Sequence, residues 1–369
     1  MDRFWDAVVV GAGPAGSFSA ALLARRGWKV LLVDRKTKLE GKACGCCLSP
    51  RALELLSHYQ VEHVLEGGKP LTHVRLLVPG LEAILPLPGG LALSRRTLDN
   101  RLVQWARQAG ACVCLGWQAE LPPCEKDSQV VLLHRSEIKE AVFGKVVIVA
   151  DGVAGRALQR IEPMRQVRYA TGRVGVAACV VPPPAPAPGE IILAYSNRDY
   201  LGLVELEDGQ VHLAAALSRR GRGPVGHRLE AIGSACGLLG PLRPTGPWQG
   251  TPGLACRRRV AWQRIFVVGD AAAYVEPVLG DGIACALEGA TRLSQLLLQR
   301  GRWTRALPQQ WQQAYKQLTR SRRYQQWTVH GLLNCPAAVP WLLRLARLWP
   351  QPIVRWIHGY HLWAPGAYL

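Results

Sequence analysis

Acidic residues are scarce in this chain, and none occurs after Glu288. Against 45 lysines and arginines stand 26 aspartates and glutamates, which leaves a formal net charge of +19. The excess gathers in the acid-free stretch, where eleven basic residues run from Arg292 to Arg355. Such a surface attracts nucleic acid, anionic lipid or an acidic protein, and long-range attraction alone does not choose among them. A solvated arginine-rich face needs no partner at all. A membrane span is missing too: no uninterrupted apolar run reaches the roughly 20 residues that a spanning helix requires. The opening MDRFWDAVVVGAG enters a strand with no cleavable signal pattern, so a soluble, cytoplasmic chain is expected, at most peripheral to a membrane.

Frameworks of cysteine or metal are equally absent. The 11 cysteines are odd in number and scattered, Cys124 and Cys335 among them, which fits a reducing compartment. The run Cys44-Gly45-Cys46-Cys47 has no second CxxC pair or histidine cluster at zinc-ligand spacing, and His358 and His361 lack partners. No metal is expected. Disorder has no compositional support, with 49% hydrophobic and 19% charged residues. At 369 residues the chain exceeds the usual domain of about 100–200, which predicts two structural units.

What is present begins with Asp6-Ala7-Val8-Val9-Val10, an apolar run that ends in glycine. A helix is predicted over residues 17–26 and a second strand at Val30-Leu31-Leu32-Val33, completing a βαβ unit. Helical periodicity returns over residues 95–109. Buried-strand candidates at 146–150 and 265–268 each end in an Asp-Gly or Gly-Asp pair, and with the first strand they can meet at one edge of a parallel sheet. Segments 175–181, 190–195, 200–205 and 210–217 have strand composition and predict an antiparallel sheet, interrupted by a stiff proline-rich loop at 182–188. Beyond Gly289 the chain reads as helix, cut into short pieces by Pro308, Pro336, Pro340 and Pro350.

Gly11-Ala12-Gly13-Pro14-Ala15-Gly16 stands in the required place, after a strand and before a helix. Gly11 permits the tight turn, Gly13 lets the backbone approach a pyrophosphate, Gly16 lets helix and strand pack closely, and the helix N-terminus stabilises the phosphate charge. Asp34, followed by Arg35, ends the second strand at the distance where an acid accepts hydrogen bonds from an adenosine ribose. An acid there argues against a 2′-phosphate, and so against NADP as the resident dinucleotide.

Gly269-Asp270-Ala271-Ala272, then Pro277, then Gly280-Asp281-Gly282-Ile283 opening a helix, resembles the second fingerprint of the geranylgeranyl reductase and flavoprotein aromatic hydroxylase superfamily. Ser94-Arg95-Arg96-Thr97-Leu98-Asp99 and Asp151-Gly152-Val153-Ala154-Gly155-Arg156 are similar to its arginine-helix and Asp-Gly elements. The resemblance covers about residues 5–300. It implies FAD as cofactor, with Asp270 on the ribityl chain and Pro277, Gly280, Gly282 and Ile283 beside the ring. A helix N-terminus at the pyrimidine end suits the charge of a reduced flavin. The implied fold is α/β: a Rossmann-type FAD-binding domain (1–70, 95–165 and 256–300), an inserted antiparallel β-sheet substrate domain (71–94 and 166–255) and a C-terminal helical segment (301–369).

Lys42-Ala43-Cys44-Gly45 and Gly280-Asp281-Gly282-Ile283-Ala284-Cys285-Ala286-Leu287 resemble the reductase branch, whose members include enzymes linked to polyketide and isoprenoid pathways. Two signatures of the wider group are missing. There is no WxWxIP segment, which speaks against halogenation, and no aromatic YxWxFP segment; Tyr200-Leu201-Gly202-Leu203-Val204 stands in the comparable region. Without a second GxGxxG, a donor such as NAD(P)H visits transiently, or electrons come from a carrier protein. Cys44, in a loop expected near the flavin, is the single side chain with a candidate catalytic role, although a cysteine more often behaves as a small apolar residue. Two reactions on an apolar or aromatic substrate are expected alternatives: reduction of a carbon–carbon double bond, or flavin-dependent hydroxylation. The alternative is a peripheral electron-transfer flavoprotein whose basic tail docks an acidic redox partner or an anionic membrane. Nucleic acid ranks last, since only the basic tail speaks for it.

Overall fold

The computed structural model describes residues 2–358 except 124–127, 171, 182–184, 239, 241 and 302, with the side chains of 353, 355, 357 and 358 left aside. Cys124, prolines 182–184, His361 and the His358 side chain lie outside the described residues.

Strand β1 (Phe4–Val10) is buried almost throughout its second half, as expected for a parallel strand with helices on both faces. Helix α1 (Pro14–Ala24) starts three residues before its predicted position. Pro14 occupies the first turn, where a missing N–H costs nothing, and all 11 residues are buried. β2 (Val30–Asp34) runs parallel to β1, with Val8 opposite Leu31. After α2 (Pro50–His58) come β3 (His73–Val78) and β4 (Leu81–Pro86), an antiparallel hairpin that leaves this sheet. α3 (Arg95–Gln108) begins where Ser94 Oγ accepts the Thr97 N–H at 3.1 Å, a side-chain N-cap. β5 (Cys112–Leu115) extends the sheet beyond β2.

β6 (Gln129–Arg135) and β7 (Ile138–Val149) form a long hairpin, and the valine-rich end of β7 pairs in parallel with β1. The chain then builds the second sheet from β8 (Arg173–Val181), β9 (Glu190–Ser196), β10 (Asp199–Glu205) and β11 (Val211–Ser218). Helix α4 (Val225–Ala235) packs against β9 and β10, and β12 (Gln249–Gly253) pairs with β8. β13 (Ile265–Val267) returns to the first sheet, and α5 (Gly282–Arg300), α6 (Leu307–Leu333), α7 (Ala338–Leu348) and α8 (Pro350–His358) follow.

The first sheet therefore has the order β13-β7-β1-β2-β5 in its parallel core. The three strand ends marked by glycine and aspartate in the sequence lie side by side: the Ala150 N–H donates to Val10 O at 2.7 Å and the Val268 N–H to Val149 O at 3.1 Å. The second sheet follows the order β8-β11-β10-β9-β3-β4. It departs from the purely antiparallel expectation at one join, where β9 pairs in parallel with β3, because the early excursion at 73–86 enters this sheet from the other domain rather than by a hairpin. The C-terminal expectation of short helices is also corrected. Pro308 lies in the first turn of α6, where it starts the helix instead of breaking it, so α6 runs for 27 residues. Trp311 of α6 is fully buried behind the first sheet and donates its indole N–H to Val267 O at 3.3 Å. No helix among the described residues is long and apolar enough to cross a membrane.

Candidate active site

The loop between β1 and α1 requires glycine at two points. Gly11 has φ +105°, and a Cβ there would lie 2.4 Å from Ala150 O; a Cβ on Gly16 would lie 1.8 Å from Gly11 O. Gly13 differs, since the nearest atom to a Cβ would be Arg95 Nη2 at 3.7 Å. The space before Gly13 is thus open to a ligand and bounded by a guanidinium. At the end of β2, Asp34 holds the turn together by accepting the Ala12 N–H on Oδ2 and the Lys36 N–H on Oδ1, each at 2.8 Å.

Arg95 is buried and paired through two hydrogen bonds with Asp99, Nε to Oδ1 at 2.9 Å and Nη2 to Oδ2 at 2.8 Å. Burial works against its charge, but the Asp99 carboxylate outweighs it, so the guanidinium stays a firm cation. Asp151 follows β7; its Oδ2 accepts the Ala157 N–H at 2.9 Å, and its Oδ1 is buried without a partner. Burial holds this carboxyl above the usual range, against the Ala157 hydrogen bond and the Arg258 charge. Lys42 Nζ sits 3.3 Å from Asp270 Oδ2 and would be 3.2 Å from a Cβ on Gly152, so one ammonium links the ends of β7 and β13.

Gly280 takes a left-handed conformation (φ +66°) just ahead of α5. Asp281 is held there by Ser49 Oγ at 2.8 Å and Arg322 Nε at 3.3 Å. Deeper in the same helix, Glu288 pairs with Arg51 and, at 3.2 Å, with Arg322 Nη2. These contacts fix the N-terminus of α5 against α2 and α6.

Gly13, Asp34, Lys42, Arg95, Asp151, Asp270 and Gly280 border one cavity of about 1210 Å³. Every residue expected in the site borders it, Pro14, Ala15, Arg35, Cys44, Gly269, Pro277, Gly282 and Ile283 included, apart from Gly11 and Gly16, which shape the loop from behind. Cys44 is half-buried, and its carbonyl accepts from His212 Nε2 at 2.8 Å. A hydrogen bond with Cys46 and burial push its thiol well up, so it is a neutral S–H at neutral pH.

The structure adds residues that sequence reasoning passed over. Lys42 was visible only as part of a family-like segment. Arg173, Tyr200, Glu276 and His330, drawn from four separate stretches, form a buried cluster: Arg173 Nη1 lies 2.6 Å and His330 Nδ1 3.0 Å from Glu276 Oε2, and the Tyr200 hydroxyl donates to Glu276 Oε1. Glu276, an acid immediately before Pro277, was the one local signal.

The comparisons with known proteins bear on this geometry. A family described as "FAD binding domain" matches residues 5–205. The menaquinone reductase of Mycobacterium tuberculosis is 30% identical over 337 residues, which covers 80% of this chain and 77% of that protein. This chain belongs to that flavoprotein family. The flavoprotein is an FAD-dependent oxidoreductase of the geranylgeranyl reductase and aromatic hydroxylase superfamily. It is also 24% identical over 320 residues to the digeranylgeranylglycerophospholipid reductase of Methanosarcina acetivorans, covering 78% of this chain and 74% of that one. Its fold matches a geranylgeranyl bacteriochlorophyll reductase-like protein from Thermoplasma acidophilum with a TM-score of 0.76 at 18% identity, over 90% of this chain and 88% of that one.

The residues present fit the cofactor. The glycine cradle is open at Gly13 alone, the buried Asp151 Oδ1 lacks a partner at the cavity edge, and α1 and α5 both begin at the cavity. The volume exceeds the roughly 300–1,000 Å³ of an ordinary ligand pocket, which leaves room for a cofactor and a second molecule.

Proposed function

We propose that the flavoprotein reduces a carbon–carbon double bond in an extended, apolar, isoprenoid-type substrate. One observation carries this reading. The cavity continues past the cofactor loops into a chamber between the second sheet and the C-terminal helices, walled by Leu76, Leu193, Leu332, Val339, Leu343 and Ala346. Such a wall offers shape and dryness rather than hydrogen bonds, which suits a flexible hydrocarbon. Similarity to a menaquinone reductase and to a digeranylgeranylglycerophospholipid reductase supports the same substrate class.

Bound FAD would supply the redox chemistry, with NAD(P)H as the reductant proposed to visit transiently. In this reading Gly13, Pro14, Ala15 and Arg95 hold the pyrophosphate, Asp34 the ribose and Asp270 the ribityl chain. The N-terminus of α5, with Pro277, Gly280 and Ile283, would hold the ring, and its partial positive charge would stabilise the reduced state. Segments 1–70, 95–165 and 256–300 hold the cofactor, and 71–94 and 166–255 cover the substrate. The Cys44 thiol, protonated at the cavity wall, is a candidate proton donor.

The test is turnover of menaquinone and of polyprenyl compounds under nitrogen, with product mass as readout. Gain of two hydrogens is the expected result. A product that appears only in air and carries an added oxygen overturns the proposal in favour of hydroxylation.

A further inference from the structure

Helix α7 is apolar on both sides. Val339, Leu343 and Ala346 recur at i, i+4 and i+7 and border the cavity, the last two of them buried. Trp341, Leu345 and Leu348 recur at the same spacing on the opposite face and are 66%, 43% and 70% exposed. Trp349, next in the chain, is 65% exposed. A helix that buries one apolar face is left with the other turned outward, and a contiguous exposed patch of this kind marks an interaction surface.

Charge decides what covers it. Arg344 and Arg347 are exposed on the flank of the patch, Arg344 lying 5.1 Å over the Trp341 ring, and no acidic residue stands anywhere after Glu288. Tryptophan and leucine facing outward, with arginines able to extend their stems beside them, match the headgroup boundary of an anionic bilayer. None of the described helices can cross a membrane, so the arrangement is one that lies on it. Two residues make the face continuous with the cavity: Leu342 and Trp356 both border the cavity and reach the surface, 37% and 40% exposed.

We propose that α7 and the adjoining turn into α8 dock the enzyme on an anionic lipid bilayer, with the gap at Leu342 and Trp356 as the portal through which an apolar molecule leaves the bilayer for the cavity. Docking does not depend on which reaction the flavin performs, so it survives failure of the double-bond reading, and the reverse also holds.

The experiment is co-sedimentation of the FAD-loaded full chain with phosphatidylcholine vesicles, with and without phosphatidylglycerol, at low and high salt. Binding is expected to be stronger with phosphatidylglycerol and to weaken with salt. The double variant W341S/W349S should lower vesicle partitioning by about tenfold or more, and R344Q/R347Q should remove the phosphatidylglycerol preference. Unchanged flavin absorbance and thermal unfolding in both variants establish that they are folded. No sedimentation with either vesicle, or W341S/W349S sedimenting like the parent, overturns the proposal. So does equal binding to the two vesicle types, or retention by an acidic protein without retention by vesicles.

Discussion

Arg173 and Glu276, 103 residues apart in the chain, form an ion pair of 2.6 Å with only 1% of either side chain exposed. The pair joins the first residue of β8 to the residue before Pro277 in a loop that borders the cavity. The remaining Arg173 donors end on Arg198 O at 2.9 Å and on Leu333 O at 3.0 Å, so the second sheet, that loop and the end of α6 share one buried guanidinium. Removing one member strands a charge: Arg173→Met should lower stability by about 3–5 kcal/mol, read from denaturant unfolding. Glu276→Gln keeps an acceptor for Tyr200 but strands the Arg173 cation, so it should be destabilising as well.

The glycine loop separates packing from binding. Gly16→Ala should lower the unfolding temperature even without flavin, because its Cβ would collide with Gly11 O at 1.8 Å. Gly13→Ala meets nothing closer than Arg95 Nη2 at 3.7 Å. Unfolding of the flavin-free protein should therefore be unchanged, while flavin affinity falls because the methyl group occupies the pyrophosphate's approach. Differential scanning fluorimetry paired with flavin titration checks both.

Lys42 should act on the cofactor rather than on the fold, whereas Asp34→Ala should also loosen the turn that accepts the Ala12 and Lys36 N–H groups. If Asp34 also accepts from the cofactor ribose, as proposed above, loss of its carboxylate to Ala should weaken flavin binding roughly ten- to a hundredfold, at about 1.5–3 kcal/mol for each charge-assisted hydrogen bond. The Lys42 side chain is 36% exposed, so Lys42→Met should change stability by no more than about 1 kcal/mol. Its effect should appear in turnover and in the flavin spectrum, since Asp270 loses its partner.

His212 gives the loop around Cys44 a pH dependence. Burial works against the imidazolium, but the Cys179 thiol and the Cys44 carbonyl outweigh it and raise its pKa above the usual 6.5. The folded state then binds the proton more tightly than the unfolded chain. Its stabilising contribution is complete below about 6.5 and is lost as pH rises through the folded value. His212→Gln retains a neutral donor and should remove only this part. The gap in unfolding temperature between parent and variant should therefore be largest in mild acid and close in alkali.

Much of the cofactor half could be read directly because its signals are local. The strand before Gly11, the proline in the first turn of α1 and the acid at the end of β2 act within a few residues of one another, and their periodicity survives any tertiary context. Helix α3 was predicted over 95–109 and ends at Gln108. The proline pattern after Gly289 was read as a set of breaks, yet Pro308 starts α6, because a proline's effect depends on whether it falls in the first turn or the interior, and composition does not say which.

The sequence alone determined the FAD-binding architecture, the glycines that must remain glycine and the basic, acid-free character of the C-terminal stretch, because each depends on neighbouring residues or simple charge. Only the tertiary structure brought Lys42 to Asp270, buried Arg173 against Glu276, and set one face of α7 on the cavity and the other in solvent. Those relations arise where distant segments are pressed together. Burial and pairing then decide the behaviour of a charge or an apolar side chain, and neither is a property of the residue or its neighbours in the chain.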